Sequence, residues 1–325
     1  MDVIETRALS KAYGPKRAVD SLDMHVGAGD IYGFVGKNGA GKSTVMKLLS
    51  GLVRPTSGEM RLFGHPVRQT TRPEGPRMGA LIEEPGLLPT FSAYENLMCK
   101  ALALGVVHPE KHCRELLELA GLEGSGTHGV KKLSLGMRQR LGLALALVGE
   151  PDLLLLDEPF NGLDPEATRE MRGALMRLNR ERGITLVISS HVLDQLDRMA
   201  TRFGVIRQGR MARELSVETL HAECAGSIRV KTSDPSRSLV ILEERLPGTA
   251  LRTEPDGSII VGGGDRHARA RFGGASIDPS LSGAPSPEDI SRVLLEEGQL
   301  VLELSSIGRD IEEFFVELMG DDGGK

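Results

Sequence analysis

Short stretches that are almost wholly apolar punctuate the first two thirds of the chain: IYGFV (31–35), MGALI (78–82), LLLL (153–156) and ITLVIS (184–189). Runs of this length without polar alternation read as strands buried on both faces of a parallel sheet. Helical periodicity lies between them. Val45, Met46, Leu48 and Leu49 share a face of a helix over 43–52. Residues 87–130 are helical in pattern, with Ser92 three positions ahead of Glu95 as a capped start. After VIRQGRM (205–211) the pattern changes. It reads as strand SIRVKTS, helix SRSLVILEERL, strands ALRTE and SIIVG about the turn Pro255-Asp256-Gly257, helix PEDISRVLLEEG from Ser286-Pro287 to Gly298, and strand QLVLEL. Asp-Gly between apolar runs signals a hairpin, and the order β-α-β-β-α-β predicts a small ferredoxin-like α+β unit. A last helix, SIGRDIEEFFVELMG, sets Ile307, Ile311, Phe314, Phe315 and Leu318 on one face, for core packing or for a dimer contact. The reading is an α/β domain over 1–217 with a helical subdomain at about 87–150, then an accessory α+β domain over 218–325. A Gly/Pro/Ser-rich stretch at 262–287 reads as a flexible insertion. Its Arg266, His267, Arg269 and Arg271 are a basic patch for a solvated loop or for lipid headgroups.

Composition narrows the class. The chain has 325 residues, 40% hydrophobic, and a formal charge of −5. That is an ordinary soluble composition, without the broad basic surface of a nucleic-acid binder. The longest apolar run, LGLALALVG (141–149), is about half of a membrane span, and the start MDVIETRALSK lacks the order of a signal peptide. Three widely spaced cysteines, Cys99, Cys113 and Cys224, read as reduced thiols. These features predict a cytoplasmic protein.

The chemistry sits where the apolar strands end. After Val35, Gly36-Lys37-Asn38-Gly39-Ala40-Gly41-Lys42-Ser43-Thr44 fits G-x-x-x-x-G-K-[ST] between a strand and a helix. Glycines let backbone N–H groups turn inward around a polyphosphate, and the helix start adds positive potential. Lys42 would reach the β/γ-phosphates and Ser43 would ligate Mg²⁺. The four leucines 153–156 deliver Asp157 and Glu158 to the carboxyl edge of the sheet, where such sheets hold ligands. Asp157 is suited to Mg²⁺ and Glu158 to polarising the water that attacks the γ-phosphate.

KLSLGMRQRLGLALAL (132–147), upstream of that strand, completes a resemblance: the chain looks like the ATPase subunit of ATP-binding-cassette (ABC) transporters, a P-loop NTPase fold. The resemblance covers about residues 3–217. It implies that Ser134 and Gly136, at the start of the signature helix, face the γ-phosphate held by a second copy, so that two chains enclose two ATP molecules. Leu135 and Met137 replace the commonest Gly and Gln, a variant similar to the drug- and peptide-export branch. By the same resemblance Tyr13 stacks on adenine, Asp164 of NGLD (161–164) contacts the partner's phosphate loop, and His191 is the switch histidine at the γ-phosphate.

Two adjacent acids in MGALIEEPG (78–86) fall where the family has a coupling loop with a glutamine near Mg²⁺. Counting from the strand gives the position to Glu83, with Glu84 as the neighbouring register. A glutamate there resembles bacitracin- and lantibiotic-type transporters. The resemblance thus implies ATP and Mg²⁺ as ligands, a homodimer, separate membrane permease subunits and a place on the inner face of the membrane. The rival reading is a soluble ABC ATPase of translation or DNA-repair type. Since 220–325 carry no nucleotide motif, a chain cut after about 218 is expected to keep ATP binding.

Overall fold

The computed structural model describes residues 2–67, 77–224, 227–247, 249–262, 285–308 and 310–320. The core is a sheet of six strands in which the apolar runs lie side by side. These are β3 (Ile31–Val35), β6 (Met78–Leu81), β7 (Leu153–Asp157), β8 (Thr185–Ser190), β9 (Arg202–Arg207) and β10 (Arg210–Ser216). Their order is β10-β9-β3-β8-β7-β6, parallel except for the β9–β10 pair. Every residue of β3, β7 and β8 is buried, as full coverage of both faces requires. Register then fixes the site. Val35 is paired with Ser190, and Asp157 with Ser189, so Gly36, Glu158 and His191 leave the same edge.

A second, antiparallel sheet is built by β1 (Asp2–Tyr13), β2 (Lys16–Gly27), β4 (Ser57–Leu62) and β5 (His65–Pro66), in the order β2-β1-β4-β5. Helix α1 (Lys42–Leu49) follows the phosphate loop and buries Val45, Met46, Leu48 and Leu49 between the sheets.

The helical part comprises α2 (Ala93–Leu104), α3 (Pro109–Leu119) and α4 (Leu135–Leu147). The expected cap on α2 is present: Ser92 Oγ accepts from Glu95 N, and Glu95 accepts from Ser92 N. Helix α5 (Pro165–Arg182) connects β7 to β8, and α6 (Asp194–Asp197) is a single turn.

Contacts divide the chain into two units, the first holding residues up to Val217 and those from Phe315 onward, the second Glu218–Phe314. The end of the chain thus departs from the expected division at 218–325. Phe315, on the last helix, is fully buried and meets the ring of Phe203 edge-on, centroids 5.3 Å apart. The face of that helix is core, as its buried Phe314 and Phe315 make plain, which removes the dimer-contact reading.

In the second unit α7 (Val217–Cys224) leads into β11 (Ser227–Thr232), α8 (Pro235–Arg245), β12 (Leu251–Thr253), β13 (Ile259–Val261), α9 (Pro287–Glu296) and β14 (Val301–Ile307); the last helix, α10 (Ile311–Leu318), is divided between the units at Phe314. The sheet is antiparallel in the order β12-β13-β11-β14, the pattern of a ferredoxin-like unit. Its core joins Ile228, Val230, Ile259 and Val261 to Ile241, Leu242, Ile290 and Leu294 of α8 and α9. Asp256 shapes the β12–β13 turn by accepting from Ser258 N and Oγ, bonds that hold its carboxyl well below the usual range. The basic patch Arg266, His267, Arg269 and Arg271 lies outside the described residues, as does the stretch at 262–287 except for its ends.

Candidate nucleotide site

The phosphate loop is shaped by close approach. Gly41 has φ +115°, and a Cβ there would lie 2.6 Å from Ala18 O; one on Gly36 would lie 2.7 Å from Ile206 O. No side chain fits either position, so the loop presents backbone. Lys42 folds back over it: the ammonium donates to Gly36 O at 2.7 Å, reaches Lys37 O at 3.4 Å and lies 3.3 Å from Glu158 Oε1. Thr44 follows Ser43 in the first turn of α1, and the loop between is tied by Ala40 N donating to Lys37 O at 3.1 Å and Gly209 N to Ala40 O at 2.8 Å. Lys37 points elsewhere and donates to Gly320 O at 2.6 Å.

Across the edge stands the acidic half. Glu158 takes the left-handed backbone region, φ +49°, and His191 Nδ1 lies 2.8 Å from its Oε2. The Nδ1–H tautomer of His191 donates in that bond, leaving Nε2 outward. One carboxylate thus spans Lys42 and His191. Ser189 joins both acids, since its buried hydroxyl donates to Asp157 Oδ1 at 2.5 Å and accepts from Glu158 N at 2.9 Å. Sequence reasoning missed Ser189; the available signal was a polar pair, Ser189-Ser190, closing an otherwise apolar strand.

The residues fit Mg²⁺. Asp157 is buried with one oxygen occupied by Ser189, leaving the other for a cation, and the hydroxyl of Ser43 stands in the first turn of α1. Hard oxygen donors completed by phosphate and water suit that ion.

Glu83 also lies in the left-handed region, φ +62°, and its Oε1 meets Lys47 Nζ of α1 at 2.5 Å. That bond, with the charges of Glu83 and Asp157, raises the pKa of Lys47 against the opposing effect of partial burial. Glu84 diverges and lines a groove of about 630 Å³, with Leu52, Leu81, Leu88, Cys99 and Lys100. Tyr13 is half-exposed rather than core, with Lys11 Nζ 5.0 Å from its ring centre.

Two of the remaining expected residues cap helices of their own. Ser134 Oγ caps α4 by accepting from Met137 N, and Asp164 Oδ1 caps α5 by accepting from Ala167 N. Gly136 faces Ala167, where a Cβ would stand 3.3 Å from that methyl. The variant Leu135 lies against Gly162 of NGLD. Two helix starts, each with a polar cap, therefore pack together.

Known proteins resemble this chain. The family model described as ABC transporter matches residues 19–161. The chain is 35% identical to the bacitracin transport ATP-binding protein BcrA of Bacillus licheniformis, over 98% of this chain and 97% of that protein. It is 40% identical to the lantibiotic transport ATP-binding protein SrtF of Streptococcus pyogenes, over 65% of this chain and 90% of that one. Among solved structures, the dimeric bacterial ABC transporter cassette MJ0796 matches with TM-score 0.62 at 25% identity, over 66% of this chain and 98% of that one.

Proposed function

The chain belongs to the ABC transporter family, and from that premise we propose that it is the ATP-hydrolysing subunit of an exporter for a drug or antimicrobial peptide. It is an ABC-type ATPase that binds ATP. BcrA and SrtF are named as transport proteins, which favours the transport reading over a translation- or repair-type ATPase. Among the described residues no helix is long and apolar enough to cross a membrane, so the path for cargo would come from separate permease subunits, with this chain on the inner face.

One observation carries the mechanism: Glu158 stands between Lys42 and His191 at the sheet's carboxyl edge. Lys42, whose partners are now loop carbonyls and Glu158, would transfer its donors to the β/γ-phosphates. Glu158, relieved of Lys42, would orient the attacking water and take its proton. His191 would hold Glu158 through Nδ1 and present Nε2 toward the γ-phosphate. Ser43, Asp157 and Glu83 would hold Mg²⁺, which neutralises charge on the β- and γ-phosphates when bound. Tyr13 would stack on adenine. Ser134 and Gly136, with the positive end of α4, and Asp164 would complete the site of a second copy. The groove lined by Glu84 and Lys100 would receive a permease segment.

The test is Glu158→Gln. ATP binding should persist while turnover falls by about 10²–10⁴-fold. Light scattering should show an ATP-dependent dimer. Turnover like that of the wild type would remove Glu158 from this role.

A further inference from the structure

On the proposed reading Glu83 would add negative charge to a site that holds Asp157, Glu158 and phosphates, and Lys47 is placed to answer it. Lys47 follows Ser43 by four residues on α1, so both side chains leave the helix on one face, one turn apart. Its ammonium lies 2.5 Å from Glu83 Oε1, with the lysine side chain 28% exposed and the glutamate 63%. A glutamine at 83 could accept a hydrogen bond from Lys47 but would carry no charge to compensate. The left-handed backbone at Glu83 puts its carboxylate toward α1, while Glu84 goes to the groove.

We propose that Lys47 is the positioning residue of a loop with two stations: it holds Glu83 while the nucleotide is absent and yields it to the metal side of Ser43 when Mg²⁺ and ATP bind. The proposal rests on the reading of Glu83 as a Mg²⁺ ligand. Lys47 keeps the Glu83 charge neutral until the cation arrives, so ATP can enter against a smaller repulsion. The exchange also couples filling of the site to movement of the loop that carries Glu84, the groove residue.

Four chains test it: wild type, Lys47→Met, Glu83→Gln and the double variant. Binding of a fluorescent ATP analogue in EDTA reads the first station. Lys47→Met should weaken it by up to about fivefold where Glu83 is present, the scale of a half-exposed ion pair, and by less than about twofold beside Glu83→Gln. Lys47→Arg should restore it. The second station is read by the Mg²⁺ concentration giving half-maximal ATPase activity. That concentration should fall in Lys47→Met, where Glu83 has no competing partner, and rise in Glu83→Gln. If Lys47→Met weakens EDTA binding equally in both backgrounds, Lys47 acts on the nucleotide directly and the proposal is overturned. A Mg²⁺ requirement unchanged by Glu83→Gln, with the EDTA coupling intact, would overturn the second station and the metal-ligand reading together, leaving the ATPase assignment standing.

Discussion

Glu158 holds a backbone conformation that costs a residue with a side chain about 1–3 kcal/mol, and it does so at the point where water would be activated. Ser189 holds it there: the hydroxyl takes the Glu158 N–H while donating to Asp157. Ser189→Ala would leave a buried carboxylate short of a donor, a loss of about 1.5–3 kcal/mol for a bond to a charged group. We expect a lower Tm and a raised Mg²⁺ requirement for ATPase activity, checked by thermal melts and by Mg²⁺ titration. An unchanged Mg²⁺ requirement would confine Ser189 to a structural role. Asp157 and Glu158 were legible because they follow a run of four leucines, and His191 because it follows the strand ITLVISS in the order the resemblance implies, so the strands themselves carry all three to the sheet edge. Ser189 and Lys47 were not. The polar pair that closes the strand marks Ser189 only weakly, and its role, like that of a lysine on a helix, is defined by neighbours that are distant in sequence.

At the level of elements, the strand, loop and helix from 31 to 49 could be read directly, since the turn chemistry leaves only glycine at 36 and 41. Gly41→Ala should therefore fold poorly or lose ATP binding, which nucleotide titration beside circular dichroism would check. The antiparallel sheet of β1, β2, β4 and β5 was not legible. Register shifts within β1, between Thr6 and Leu9 and again near Lys11, break the alternation that marks a half-buried strand. The last helix was found, but its place was not, because an amphipathic face does not say which core it fills. It supplies Phe315 to Phe203, and the residues just after it give Lys37 an acceptor. Phe315→Ala should cost about 3–5 kcal/mol, read from urea unfolding followed by nucleotide-protected signal. Cutting the chain after 218, expected from sequence to spare ATP binding, now carries the same loss and should weaken it.

For the whole molecule, the proposed pairing of two copies would bring Ser134 and Asp164, which cap α4 and α5 in one chain, to the Lys42 of the other. Symmetric pairing makes this testable. Ser134→Arg alone and Lys42→Ala alone should each be inactive as homodimers. Mixed, they form heterodimers in which one site joins an intact phosphate loop to an intact signature, so ATPase activity should return to about a quarter of the wild-type level under random pairing. Activity in pure Ser134→Arg protein would end the shared-site model. The grouping of Phe315 with residues before Val217 has a consequence in time as well as in space. Synthesis proceeds from the N-terminus and domains fold as units. The ATPase core, however, is interrupted in sequence by Glu218–Phe314. While the ribosome makes those residues, the seat of Phe315 beside Phe203 stays vacant and the nascent core is exposed to chaperones, although every nucleotide motif has already been translated. The smaller unit can finish first, and maturation of the enzyme waits for an aromatic ring 124 residues downstream of His191, its last catalytic motif (315 − 191).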